Sequence, residues 1–212
     1  MSALVTDFPW GVSYTGKTSE ALTIANDDAA GQREFLIKAF AALNTVLGPR
    51  TPFYLFTPSG PAGTEFRLAL REAGWEHRQT LVWCKDVFVL GHSDYHYRHE
   101  EILYGFTAGK GRAGRGGGRG SRWYGGNDQA SVLFFDRRKS SREHPTSKPV
   151  ELLAALLRNS SRHADLVLDP FAGSGPTLLA CEMLGRRCAA VEIDPRYADV
   201  IRARYRGFTG NG

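Results

Sequence analysis

"LVLDPFAGSGPTLLACEMLGRRCAAVEIDP", Leu166 to Pro195, changes character several times within one short stretch. Leu166-Val167-Leu168-Asp169 is an apolar run closed by a carboxylate. Pro170-Phe171-Ala172-Gly173-Ser174-Gly175 is a tight turn, and Thr177 opens a helical pattern. Glycines let a backbone approach a ligand closely, and a helix N-terminus offers unpaired N–H groups. Ala189-Ala190-Val191 then reads as a second strand, ending on Glu192, Ile193 and Asp194. A carboxylate in that place can accept hydrogen bonds from the two hydroxyls of a ribose. The stretch therefore predicts a βαβ unit with a ligand loop, one half of a doubly wound α/β sheet.

The loop also narrows the ligand. A dinucleotide fingerprint needs a third glycine where this chain has Leu178. A phosphate-binding P-loop needs Gly-Lys-Ser/Thr after its glycines, and that string is absent, with Pro176 in the lysine's place. A cofactor with a ribose and no pyrophosphate fits better, and S-adenosylmethionine is such a molecule. The alternative is a purely structural turn.

Upstream, strands alternate with helices in the same way. Ala3–Thr6 reads as a strand, Arg33–Leu47 as a helix, Phe53–Thr57 as a strand and Thr64–Ala73 as a helix. His77–Cys84, Ile102–Thr107 and Ser131–Phe135 are further strands. Ser147–Ser161 is a helix with Pro149 in its first turn. The segment "GKGRAGRGGGRGSR", Gly109 to Arg122, is glycine and arginine with almost nothing apolar, so it predicts a loop outside the core.

The chain has 212 residues, 42% apolar and 23% charged, with a formal net charge of +5. That suits one globular domain and is compatible with a polyanionic partner. No run reaches the roughly 18 apolar residues of a membrane helix, and the N-terminus has no export-signal pattern. Cys84, Cys181 and Cys188 follow no metal-site spacing and read as reduced thiols in a cytoplasm, the last two in the core.

"DPFAGSGPT" and "AAVEIDPRYADV" resemble the cofactor region of amino-type DNA methyltransferases, which modify adenine N6 or cytosine N4. "EHPTSKP", Glu143 to Pro149, resembles the segment that precedes it in those enzymes. "DFPW", Asp7 to Trp10, resembles their Asp-Pro-Pro-Tyr/Trp catalytic tetrapeptide. The similarity runs from Asp7 to Tyr205, in the order of the group whose catalytic strands come first. It implies a single Rossmann-like class I methyltransferase domain over 1–212, with a mostly parallel sheet of about seven strands. Residues 1–90 form the catalytic half, 91–142 the target-recognition region with the loop 109–122, and 143–212 the cofactor half.

The resemblance gives Asp7, Phe8, Pro9 and Trp10 their roles. An exocyclic amino nitrogen is a poor nucleophile, because its lone pair is delocalised into the ring. Two acceptors on its N–H groups free that pair, and acceptors already in place need little reorganisation. Asp7 supplies one, the Phe8 carbonyl the other, and Trp10 holds a base that has left the stack. Phe8 stands where the family has proline. Proline would lock φ, so Phe8 predicts a looser tetrapeptide and Phe8→Pro is expected to keep or raise activity.

The same resemblance assigns S-adenosylmethionine to Asp169, Pro170, Phe171, Ala172, Gly173, Ser174, Gly175, Thr177, Glu192 and Asp194. It adds Thr146, Ser147 and Lys148 at the cofactor's methionine end, although the first two also suit a helix cap. Duplex DNA is expected to meet Lys110, Arg112, Arg115, Arg119 and Arg122, with Trp123 and Tyr124 beside the bases. His96 and His99 read either as target lining or as packed histidines, and no metal site is expected. Adenine N6 is favoured because the tetrapeptide opens on Asp, whereas the family's cytosine-N4 members more often carry Ser. Cytosine N4, an RNA substrate and a non-catalytic nucleic-acid-binding module are the alternatives. A homodimer and a cognate restriction enzyme are compatible partners.

Overall fold

The computed structural model describes residues 1–10, 31–88, 90, 94–111, 113–115, 121–136 and 147–210. Ala3–Asp7 forms β1, buried along its first four residues. A continuous apolar run of this kind suits a parallel strand covered by helices on both faces. In chain order there follow α1 (Gln32–Asn44), β2 (Pro52–Thr57), α2 (Pro61–Glu72), β3 (Glu76–Cys84) and β4 (His99–Phe106). Then come β5 (Val132–Phe134), α3 (Val150–Ser160), β6 (Leu166–Asp169), α4 (Pro176–Met183), β7 (Arg187–Ala190) and α5 (Pro195–Thr209).

One seven-stranded sheet has the order β5-β3-β4-β2-β1-β6-β7. β1 pairs in parallel with β2 and β6, β6 with β7, and β3 with β5. β4 is antiparallel to both β2 and β3, so it alone runs against the other six. Successive side chains of a strand face opposite layers. Ala3 and Val5 join Tyr54, Phe56 and the apolar stripes of α3 and α4 in one core. Leu4 joins Phe40, Phe53, Phe66 and Leu70 with α1 and α2 in the other. Cys181 is buried in the first core and Cys188 packs against it, both as free thiols.

This topology sets two functional edges. The six parallel strands all finish on one edge, at Asp7, Thr57, Cys84, Phe134, Asp169 and Ala190. His99, at the start of β4, sits on that edge opposite Cys84, whereas Phe106 ends β4 opposite Pro52 on the other.

Three sequence expectations need correction here. β4 begins at His99, three residues before the predicted Ile102, because Glu100 and Glu101 continue the ladder with Trp83 and Val82. Pro149 is the cap of α3 and lies outside its first turn. The glycine–arginine segment is not wholly outside the core: Ala113 is 1% exposed and belongs to the first core cluster.

Candidate active site

Asp7 ends β1, and Lys148 precedes α3. The Lys148 ammonium lies 2.7 Å from Asp7 Oδ2 and 3.1 Å from Glu100 Oε2. Lys85, just past β3, lies 2.7 Å from Glu100 Oε1. Four charges therefore alternate in a row: Lys85, Glu100, Lys148, Asp7. The second contact of Lys148 is an ion pair and not an aligned hydrogen bond, since Glu100 Oε2 has no hydrogen-bond partner among the described residues. The side chains of Lys85, Glu100 and Lys148 are 6%, 14% and 8% exposed, and that of Asp7 is 34% exposed. The row thus ends on the carboxylate that faces outward.

Burial raises the Asp7 carboxyl above its usual range, and Lys148 partly offsets this. Burial also acts upward on Glu100, but Lys148 and Lys85 outweigh it and hold Glu100 low. Lys148 stays cationic: burial disfavours its charge, and Asp7 and Glu100 more than compensate.

The rest of the tetrapeptide is held from three sides. Trp10 Nε1 donates to Asp7 Oδ1 at 3.0 Å, and the Trp10 ring lies 5.2 Å from the Lys148 ammonium. Gln32, at the start of α1, donates its side-chain amide to the Pro9 carbonyl at 2.7 Å. Phe8 is 1% exposed, and its ring touches those of Phe40, Phe66 and Phe171. The looseness expected of a non-proline residue is not what the structure shows, because burial fixes Phe8 instead of ring closure.

β1 lies beside β6, with Leu4 opposite Leu168, so the glycine loop opens next to Asp7. Gly173 and Gly175 have φ of 53° and 75°, in the left-handed region that glycine adopts freely. A Cβ on Gly175 would come within 3.0 Å of Ile201 on α5. Asp169 is buried and turned into the loop: Oδ1 accepts from Phe171 N at 3.2 Å, and the Thr177 side chain also eases its charge. Burial raises its carboxyl to about 6. Ala172 N donates to the Val191 carbonyl, which ties the loop to the end of β7. Pro170 and Phe171 are half-buried along its rim.

Glu192 accepts from Gly173 N at 2.7 Å and from Asp194 N at 2.9 Å. Val191 and Ile193, on either side of it, are 57% and 76% exposed. A carboxylate just past β7, apolar surface beside it and a glycine turn fit a nucleoside cofactor. Asp194 instead caps α5, accepting from Arg196 N at 2.8 Å. Ser147 is 3.1 Å from Ser174, and Arg204 of α5 donates to the Ser174 carbonyl and hydroxyl at 2.6 Å each. Thr146 lies outside the described residues.

Sequence reasoning misses Glu100, Lys85, Gln32 and Arg204. Glu100 and Lys85 are charged residues next to apolar strand runs, a pattern that marks burial but does not show that they meet. The sequence points to Lys148 but gives it to the cofactor, whereas the structure seats it on Asp7.

The nucleic-acid residues divide between the two edges. His96 and His99 lie at the Asp7 edge. Exposed His96 stacks on Phe88 at 5.3 Å, and His99 meets Tyr97 edge-on at 5.8 Å. Asp94, Tyr95, His96, Tyr97 and His99 line one open cleft. Lys110 and Arg115 follow β4 at the opposite edge. Arg122 N donates to Ala113 O, and Tyr124 N donates to Asn159 O near the far end of α3. Trp123 packs against the core beside Tyr104, so its ring is not presented to a base. Exposed Tyr124 stacks under Arg162. Arg112 and Arg119 lie outside the described residues. Among the described residues no cluster of three or more acidic, histidine or cysteine side chains could hold a metal, and no helix is long and apolar enough to cross a membrane.

A mixed seven-stranded sheet with a glycine loop and acidic strand end at its carboxyl edge defines a class I methyltransferase fold. The family model described as DNA methylase, covering the N6 and N4 types, matches residues 2–203. The chain belongs to this family. It is 31% identical over 176 residues to the Type II methyltransferase M.XycI of Xanthomonas campestris pv. cyanopsidis, a match covering 77% of this chain and 56% of that protein. The chain thus spans about half the length of curated relatives it matches. Its fold is similar to that of M1.HpyAVI in complex with SAM, with a TM-score of 0.68, 21% identity and coverage of 96% and 87% of the two chains. It is equally similar to TTHA0409 of Thermus thermophilus, a putative DNA modification methylase complexed with S-adenosyl-L-methionine, with a TM-score of 0.68, 22% identity and coverage of 97% and 86%.

Proposed function

We propose that this chain transfers a methyl group from S-adenosylmethionine to an exocyclic amino nitrogen of a base in duplex DNA, with adenine N6 ahead of cytosine N4. The observation that carries the reading is the placement of Asp7 beside the glycine loop, on neighbouring parallel strands that end at one edge.

When bound, the cofactor supplies an electrophilic methyl on a positive sulfur. Glu192 and the turn Asp169–Thr177 bind its nucleoside part, and Ser147 and Ser174 stand near its methionine end. Asp7, ionised and anchored by Trp10 and Lys148, accepts one N–H of the target amino group. The Pro9 carbonyl is already engaged by Gln32, which supports the Phe8 carbonyl as the second acceptor. Both acceptors are fixed before the base arrives, so little reorganisation is needed. The Trp10 ring offers the surface on which a base outside the stack rests. DNA approaches the edge that carries His96, Tyr97 and His99. The basic residues of the opposite edge are left to phosphates away from the target base. A homodimer, a cognate restriction enzyme and a cytoplasmic setting belong to the same reading.

Incubation with unmethylated duplex DNA and S-adenosylmethionine, followed by digestion to nucleosides and mass spectrometry, tests it. N6-methyladenine in the deoxy series is the expected product, and N4-methylcytosine would exchange the base. Methylated RNA alone, or cofactor binding without any methylated nucleoside, would overturn the DNA reading.

A further inference from the structure

We propose that Glu100 is a positioning residue of the methyl transfer, which holds the Lys148 ammonium between two carboxylates and so keeps Asp7 a strong acceptor. For its effect on rate the proposal rests on the methyl-transfer reading above, but its effect on Asp7 itself does not.

A lysine ammonium has three donors and one charge. A buried ammonium facing a single carboxylate would pair with it fully. The carboxylate would then be a weak acceptor for the poorly polarised N–H of a base. Glu100 prevents that by taking a share of the same ammonium at 3.1 Å. Its own charge is offset by Lys85 at 2.7 Å, so the two carboxylates and two ammonium groups sum to zero. Of the four, Asp7 is the most exposed. The negative end of the row therefore faces the pocket.

Among the described residues, the groups that act on Asp7 come from several elements. Trp10 follows it on the same segment, Lys148 precedes α3, Glu100 is the second residue of β4, Lys85 follows β3 and Asp169 ends β6. Two of these are cations and two are carboxylates, and removing one should move Asp7 in a direction set by its sign. Loss of the Glu100 charge leaves two lysines acting on Asp7 and favours its ionised, fully paired form. Loss of the Lys85 charge leaves Glu100 less compensated and has the opposite effect.

The test is a titration of the Asp7 carboxyl carbon by NMR, without cofactor or DNA, in protein labelled at aspartate and assigned with Asp7→Asn. In Glu100→Gln the midpoint should fall below that of the parent, and in Lys85→Met it should rise. Burial or packing alone gives no reason for shifts of opposite sign. In the methylation assay Glu100→Gln should lower kcat by about tenfold or more, with cofactor affinity unchanged, as expected of a lost electrostatic contribution. An unmoved Asp7 midpoint in folded Glu100→Gln overturns the proposal. If that variant does not fold, a Lys85→Met midpoint that falls or stays overturns it instead. Opposite shifts in a protein that methylates no DNA would sink the methyl-transfer reading and leave the network standing.

Discussion

The ring of Phe8 lies 4.7 Å from the ring of Phe171, and this contact joins the tetrapeptide after β1 to the glycine loop after β6. Phe40 and Phe66 complete the cage, at 5.4 and 6.4 Å. The expectation that Phe8→Pro keeps or raises activity is therefore reversed. The substitution would add stiffness in φ but empty a cavity in the second core, beside the glycine loop. Truncation of a buried phenylalanine costs about 3–5 kcal/mol. Phe8→Ala should lose stability in that range and Phe8→Pro at least as much, with lower activity in both. Urea unfolding with parallel methylation rates checks this, and a Phe8→Pro protein as stable and active as the parent would refute it.

How far the sequence can be read follows from where each signal resides. The glycine loop, Glu192 and the alternation of strands and helices are local patterns, and local patterns survive without a third dimension. Asp7 is legible because its tetrapeptide is contiguous. Glu100 and Lys85 are not, because they meet Lys148 only when β3, β4 and the start of α3 converge on one edge. Phe8 is misjudged from sequence for the same reason: its partners come from α1, α2 and the loop at Phe171. The glycine–arginine segment reads from sequence as a DNA-contacting part of the target-recognition region, but its composition does not say which edge it meets; the reversed direction of β4 delivers its start to the edge opposite Asp7.

In the proposed transfer Asp7 acts as an acceptor, so it must be ionised. Burial raises its carboxyl above the usual 3.8, and Lys148 is the main group limiting the rise. Activity should fall as pH drops through that raised value, giving an acid limb above the ordinary aspartate range. Asp7→Asn turns one acceptor into a donor that faces either Lys148 or Trp10 Nε1. It should cost on the order of 10²–10³ in kcat, the scale of one lost preorganised contact. Cofactor binding by calorimetry should persist. A variant within a few-fold of the parent rate would remove Asp7 from the mechanism.

Lys148 and Arg204 should separate cleanly. The resemblance puts Lys148 at the methionine end of the cofactor, but its ammonium is taken by Asp7 and Glu100. Arg204 is the cation that braces Ser174 next to Ser147. Lys148→Met should therefore depress kcat and raise the acid limb, since Asp7 loses its main counter-charge, with a small change in cofactor Kd. Arg204→Gln should weaken cofactor binding by about tenfold, as one charge-assisted hydrogen bond contributes roughly 1.5–3 kcal/mol. Titration calorimetry of both variants decides it, and the reverse pattern would return Lys148 to the cofactor.

Asp169 links the loop to stability through pH. Its carboxyl is raised from 3.8 to about 6, chiefly by burial, with only partial relief from Thr177 and Phe171 N. A carboxyl whose folded value is raised favours folding in its protonated form. Its contribution is fully present below about pH 4 and is lost as pH rises through about 6. The shift of about two units corresponds to roughly 3 kcal/mol, since each unit is about 1.4 kcal/mol. Asp169→Asn cannot ionise, so its stability should gain on that of the parent by about that amount between pH 4 and pH 7. The amide would also oppose one of the donors around it, so the variant should start below the parent at pH 4 and close the gap as pH rises. Denaturant unfolding at both pH values measures the difference, and a gap that stays constant would show that Asp169 ionises normally inside the loop.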